Sequence, residues 1–208
     1  MIMKHSVILI DMNYIIGIDE VGRGPVAGPV VVCACAVLSG VGLTHLYPQE
    51  KLRDSKKLSK KQRKAILHAL ESFTQSQQVL FGIGESSVEM IDNEGIVPAI
   101  KAATQQALLE LERQGVGQES YVYLDGALSL PDTYAYEVII KGDEKILEIS
   151  LASIYAKEYR DTMMCEYAKK YGEYGFETNV GYGTSAHYKA ITQYGITPLH
   201  RKSFLKMK

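Results

Sequence analysis

The stretch YIIGIDEVGRGPVAG, Tyr14 to Gly28, decides how this chain is read. Its first part, Tyr14 to Asp19, is a short β-branched run that predicts a buried strand and passes straight into the glycine-rich Gly22 to Gly28. The strand therefore delivers two acids, Asp19 and Glu20, to its carboxyl end, where open α/β sheets build their ligand sites. Neighbouring strand residues face opposite ways, so the two can share one site only where the strand stops.

Working outward, Pro29 to Leu38 (PVVVCACAVL) predicts a second, longer buried strand. Ser59 is placed to cap a basic helix from about Lys60 to Phe73, with Ile66, Leu67 and Leu70 on its apolar side. Val79 to Gly84 predicts a third strand. Pro98 opens a long amphipathic helix in which Ile100, Ala103, Ala107, Leu108 and Leu111 follow helical spacing, and Gly115 is a suitable end. Tyr121 to Asp125 and Tyr136 to Asp143 predict strands four and five, each ending in an aspartate, with a turn-rich stretch containing Gly126, Pro131 and Asp132 between them. Helix returns from Glu144 to about Lys170, where Ser150, Ala152, Ser153 and Ala156 are small enough for close approach to a sheet, and again near Ala186 to Tyr194. This order predicts a mixed α/β sheet with helices on its faces.

With 208 residues and 46% hydrophobic content, the chain suits one main domain with a helical appendage. No apolar run reaches the roughly 18 residues of a membrane span and no signal peptide is evident, so an intracellular, cytoplasmic location is expected. Three cysteines, Cys33 and Cys35 in an apolar run and Cys165 apart, indicate neither a disulfide framework nor a metal knuckle. The formal net charge of -1 supplies no global field for nucleic acid, leaving local basic patches. One lies between Lys51 and Lys64, and the tail adds His200, Arg201, Lys202, Lys206 and Lys208. A solvated helix face and a frayed terminus explain the same residues.

Asp19, Glu20, Asp125 and Asp143 all fall at predicted strand ends. Four converging carboxylates repel one another unless a cation neutralises them, and an all-oxygen, all-anionic set suits Mg²⁺ or Mn²⁺ better than zinc. Two such ions roughly 4 Å apart can bind a scissile phosphate and activate water. Any one of these acids alone would read as an ordinary loop residue. Gly22-Arg23-Gly24 allows backbone N–H groups to form a nest for phosphate or sugar, although a plain turn is the alternative. A dinucleotide fingerprint is excluded because Gly22, Gly24 and Gly28 are misspaced and lead into a strand, and no P-loop GK[ST] is present.

GIDEVGRGPVAGPVV (Gly17 to Val31) closely resembles the signature of bacterial ribonuclease HII. DSKKLS (Asp54 to Ser59), YLDG (Tyr123 to Gly126), KGDEKILEISLASIYAKEYRD (Lys141 to Asp161), YGF with GYGT (Tyr174 to Thr184) and HRKSF (His200 to Phe204) follow in that family's order. The resemblance implies a ribonuclease H-like fold, an α/β/α core around a mixed sheet with a C-terminal helical extension; the core would span about 14–170 and the extension about 171–208. It implies Asp19, Glu20, Asp125 and Asp143 as catalytic metal ligands and two divalent ions, Mg²⁺ or Mn²⁺. By resemblance, Gly22, Arg23 and Gly24 contact the ribose 2′-hydroxyl, Tyr182 packs on the following deoxyribose, and Lys56 and Lys57 contact substrate backbone. The implied substrates are RNA/DNA hybrids and duplex DNA carrying single ribonucleotides, nicked on the 5′ side to leave 3′-hydroxyl and 5′-phosphate ends. Many family members carry a lysine where this chain has Val180, which puts one phosphate contact in doubt. Nothing in the chain demands more than a monomer. Other metal nucleases of the same superfold, such as ribonuclease HIII or a resolvase, remain alternatives, as does a silent nucleic-acid binding module that would have lost a carboxylate. His187 reads as a packing or capping residue or as a proton shuttle.

Overall fold

The computed structural model describes residues 13–43, 58–126, 130 and 134–205. Its elements run β1 (Tyr14–Val21), β2 (Val30–Leu38), α1 (Lys60–Ala69), α2 (Glu71–Gln75), β3 (Val79–Ser86), α3 (Val88–Glu94), α4 (Ile96–Arg113), β4 (Tyr121–Asp125), β5 (Tyr136–Ile139), α5 (Leu147–Lys170), α6 (Phe176–Asn179) and α7 (Ser185–Tyr194), with short 3-10 turns between and after them. One mixed sheet has the order β3-β2-β1-β4-β5. β1 pairs antiparallel with β2, and β2 with β3, whereas β1, β4 and β5 run parallel. That parallel half brings the carboxyl ends of β1, β4 and β5 to one edge.

The uninterrupted apolar run of β2 needs cover on both faces, and it has it. Val30, Val32, Ala34 and Ala36 join a core with Ala99, Ala103, Ala107 and Leu111 of α4. Cys33, Cys35 and Val37 join a second with Leu151, Ala152 and Ala156 of α5. The expected small-residue contact between α5 and the sheet is present and very close: a Cβ at Gly17 on β1 would lie 2.1 Å from the Ile149 backbone nitrogen. A side chain there would push the first turns of α5 off the sheet and displace the acids at its end.

Local signals account for several helix ends. Ser59 caps α1 through a capping box with Gln62, the Ser59 hydroxyl accepting from the Gln62 N–H and the Gln62 side chain accepting from the Ser59 N–H. The helix expected to reach Phe73 instead breaks at Leu70 and resumes as α2. α4 starts two residues before Pro98, and its buried face holds the expected Ile100, Ala103, Ala107, Leu108 and Leu111 together with Ala99 and Thr104. α3 was not anticipated from the sequence; Ser87 caps it by accepting from the Met90 N–H.

Strand five is shorter than its apolar run suggests. β5 ends at Ile139, Lys141 takes a left-handed conformation with φ 54°, and Asp143 sits on a 3-10 turn over Gly142–Glu144. The chain thus turns Asp143 back toward β4 rather than continuing past it.

The C-terminal helical extension closes on the glycine loop. Tyr174, Phe176, Ala190 and Ile191 pack with Met164 of α5 and with Ala27, and Ala27 also forms a β-bridge with His200. The reading of His200 and Arg201 as part of a frayed basic tail is therefore corrected, because both are fully buried. The basic run before α1 is split. Arg63 is buried, whereas Lys56 and Lys57 lie outside the described residues. Among the described residues no helix is long and apolar enough to cross a membrane, and the three cysteines are free thiols.

Candidate active site

Asp19 and Asp125 meet because their strands are parallel neighbours. Ile18 is in register with Leu124, so one step further along each strand the two aspartates stand side by side. Asp143 arrives from the 3-10 turn beyond β5. One carboxylate oxygen from each of the three lies within 4.8 Å of the others, and all three residues are buried. Local hydrogen bonds orient two of them: the Glu20 N–H donates to Asp19 Oδ1 over 2.8 Å, and the Gly142 N–H donates to Asp125 Oδ1 over 2.7 Å.

Glu20 stands apart from this trio. β1 continues through Val21, so Asp19 and Glu20 leave it on opposite faces. The Glu20 carboxylate lies 3.4 Å from the Arg23 guanidinium. Burial raises its pKa, Arg23 opposes that, and the nearby Asp125 charge adds to the rise. The charge of Asp125 reaches Glu20, so the fourth acid borders the cluster without closing it.

The Gly22-Arg23-Gly24 turn lies in the same cleft of about 250 Å³ as Asp19, Glu20 and Tyr182. Gly22 has φ +88°, and a Cβ there would lie 2.3 Å from Arg160 Nε, so both conformation and space require glycine. Two buried arginines hold carbonyls of this turn and of the segments that flank it. Arg160 donates from Nε to Pro29 O, from one terminal nitrogen to Val180 O and from the other to Ala27 O, over 3.0, 2.8 and 3.0 Å. Arg201 donates to the carbonyls of Gly28, Arg23 and Gly22 over 2.8, 3.1 and 2.6 Å. With these carbonyls bonded inward, the turn's N–H groups are left to face the cleft side or the turn itself. Burial lowers the pKa of both guanidinium groups, that of Arg201 to about 9 with the Arg160 charge adding.

Tyr182 leaves its side chain 46% exposed while its backbone is pinned. Its ring lies 3.8 Å from where a Cβ of Gly24 would be, which places ring and glycine turn in contact range. The preceding Gly181 carbonyl accepts from the N–H groups of Val26 and Ala27. Val180 adopts a left-handed conformation with φ 42°, a strained choice for a β-branched residue, and Arg160 holds its carbonyl.

His187 is buried and has a histidine partner: its Nε2 lies 3.1 Å from Nε2 of His200, and its Nδ1 lies 2.9 Å from the Tyr182 carbonyl oxygen. The Thr197 N–H donates to His200 Nδ1 over 2.9 Å. These partners assign the tautomers, since His200 must keep its proton on Nε2 and donate to His187 Nε2, while His187 donates from Nδ1 to Tyr182. Burial lowers both pKa values, His200 further through the charge of His187, to about 4. The fold thus accepts the neutral form. Stability from this pair is fully present above pH 6.5 and is lost as pH falls toward about 4. Thermal melts across that window should fall for the native chain, and a His200→Gln variant should fall less over the same interval.

Arg63, Ser153 and Lys157 also line the cleft; sequence reading placed Arg63 only in a basic patch and Ser153 only as a small residue against the sheet, and assigned Lys157 no role. Arg63 is held by Asp161 at 2.9 Å and Glu158 at 3.3 Å, and Lys157 shares Asp161 at 2.6 Å. Ser153 and Lys157 are one helical turn apart on α5, a spacing that could have signalled a shared face. Arg160 and Arg201 were missed too; they sat inside quoted motifs without a role.

The family model described as Ribonuclease HII matches residues 16–207. Ribonuclease HII of Chlamydia pneumoniae is 45% identical over 198 residues, spanning 95% of this chain and 86% of that protein. Among solved structures, the PCNA:RNase HII complex from Archaeoglobus fulgidus has a similar chain with TM-score 0.71 and 23% identity, covering 95% of this chain and 97% of that one. Bst-RNase HIII in complex with Mn²⁺ gives TM-score 0.69 at 16% identity, covering 93% of this chain and 67% of that one. The two structural likenesses bear on the fold.

Proposed function

The chain belongs to the ribonuclease HII family and is a ribonuclease H endonuclease, and on that premise we propose that it cleaves the RNA strand of RNA/DNA hybrids and nicks duplex DNA 5′ of single ribonucleotides. The observation that carries this reading is the meeting of Asp19, Asp125 and Asp143 oxygens within 4.8 Å, beside a cleft that holds Glu20, the glycine turn and Tyr182 together.

The family depends on divalent metal, and the donor set here fits it. Three buried carboxylates are hard, anionic ligands suited to Mg²⁺ or Mn²⁺, and a bound cation relieves their mutual repulsion. Asp19, Asp125 and Asp143 would hold the ion or ions, with Glu20 as a fourth carboxylate from the same cleft. A bound divalent ion supplies Lewis acidity toward the phosphate and lowers the pKa of water, and a pair of ions can flank both reacting oxygens.

The remaining residues read the substrate. N–H groups of Gly22, Arg23 and Gly24 meet the ribose 2′-hydroxyl, the group that separates RNA from DNA. The exposed Tyr182 ring packs on the next sugar, where a 2′-hydroxyl would crowd it. Lys56 and Lys57, with the cleft residues Arg63 and Lys157, supply positive charge for backbone phosphates. In the reaction a water oxygen bonds to phosphorus, the bond from phosphorus to the upstream O3′ breaks, and a proton reaches that oxygen. The ends are therefore 3′-hydroxyl and 5′-phosphate.

With Mg²⁺ or Mn²⁺, the protein should nick a duplex containing one ribonucleotide on its 5′ side and leave an all-DNA duplex intact. Tyr182→Ala should lower cleavage of the single-ribonucleotide duplex by about tenfold relative to a long hybrid, given the worth of one stacking contact. Equal cutting of the all-DNA duplex would contradict the assignment of the glycine turn.

A further inference from the structure

We infer that His187 and His200 act together as positioning residues for Tyr182, a hydrogen-bonded imidazole pair that anchors the backbone beneath the substrate-reading ring. The inference rests on the proposed reading of Tyr182 as the residue that senses the sugar next to the ribonucleotide.

The Tyr182 ring is nearly half exposed, so core packing does not set its place. Its backbone must. The Tyr182 carbonyl accepts two hydrogen bonds, from the Thr184 N–H over 2.8 Å and from His187 Nδ1 over 2.9 Å. The first is local to the α7 cap and travels with the loop. The second comes from a side chain that is itself fixed, because His187 Nε2 is met by His200 Nε2 and His200 Nδ1 is met by the Thr197 N–H. Tyr174 and Phe176 pack against both imidazoles and exclude water from them.

The chain of bonds therefore runs from Thr197 through both rings to Tyr182. Its His200 end adjoins a second anchor. His200 is followed by Arg201, which holds the carbonyls of Gly22 and Arg23, so adjacent residues tie down the glycine turn and, through His187, the tyrosine. The spacing between the 2′-hydroxyl contact and the ring that reads the next sugar is thereby set from one point in the chain. Such a device acts on discrimination between substrates, since a ring displaced by a fraction of an ångström loses its sugar contact while the acids are unmoved.

The test compares kcat/KM on a duplex with one ribonucleotide and on a long RNA/DNA hybrid, expressed as a ratio from the same sample so that any unfolded fraction cancels. His187→Phe keeps the ring volume without a donor, and His187→Asn offers an N–H near the Nδ1 position. His187→Phe should lower the ratio by about three- to tenfold, as expected for one lost hydrogen bond, and His187→Asn should restore most of it. His200→Phe should move the ratio in the same direction, and adding His187→Phe to Tyr182→Ala should change it little further. If Tyr182→Ala shifts the ratio while His187→Phe and His200→Phe leave it at the native value, the positioning role is wrong and the reading of Tyr182 stands. If Tyr182→Ala itself leaves the ratio unchanged, the reading of Tyr182 fails and takes this inference with it.

Discussion

Asp125→Asn is expected to lower kcat by about 10²–10³-fold or more, while leaving the metal-free protein at least as stable as the native chain. Asparagine keeps an oxygen that can accept the Gly142 N–H, so the local turn over Gly142–Glu144 need not move. It removes one of three negative charges held within 4.8 Å of one another, and with it a share of their repulsion. The apo protein should therefore melt at the same temperature or higher. The native chain should gain about 2.7 kcal/mol of stability from Mn²⁺ at a hundred times its dissociation constant, and the variant at the same concentration should gain far less. Melts with and without metal, beside single-turnover cleavage, separate the two effects. A variant that cleaves normally, or an apo protein that collapses, would show that the acids serve structure and not metal binding.

Arg201→Met should destabilise the chain by about 3 kcal/mol or more, because three buried carbonyls lose their donors while a similar volume is kept. Arg201→Lys should recover little of that loss. An ammonium on a flexible stem cannot span Gly22, Arg23 and Gly28 as the planar guanidinium does. Urea unfolding gives the stability. In the fraction that remains folded at low urea, KM for the single-ribonucleotide duplex should rise more than kcat falls, since the loosened element is the glycine turn and not the acid cluster. Native-like stability in Arg201→Met would mean that water replaces the guanidinium at those carbonyls.

These two sites differ in how far the sequence revealed them. The β-branched run of β1, its two acids and the glycines after it are local features, and a strand leading to a carboxylate-rich turn could be inferred from them directly. The same holds for β2, for the face of α4 and for the Ser59 cap. Where local signals compete, the reading slipped. The run Tyr136 to Asp143 has a strand's composition, yet left-handed Lys141 ends the extended backbone early and turns Asp143 inward. Asp19 and Glu20 line one cleft at the end of their strand, but β1 runs on through Val21, and Glu20 stays outside the three oxygens that lie within 4.8 Å of one another.

By itself the sequence determined which residues could do chemistry: acids at strand ends, a turn only glycine can make, and a tyrosine set in a family motif. Those features follow from backbone freedom and side-chain type, which are properties of short segments. Tertiary structure alone decided that Asp19, Asp125 and Asp143 meet, through the parallel pairing of β1 with β4 and β4 with β5. It also turned His200 and Arg201 from an apparent basic tail into buried anchors, and gave Arg160 and His187 buried anchoring roles beside them. A charged or titratable side chain carries no local mark of its burial, because what buries it is tertiary: most carbonyls that the two arginines meet come from segments more than a hundred residues away.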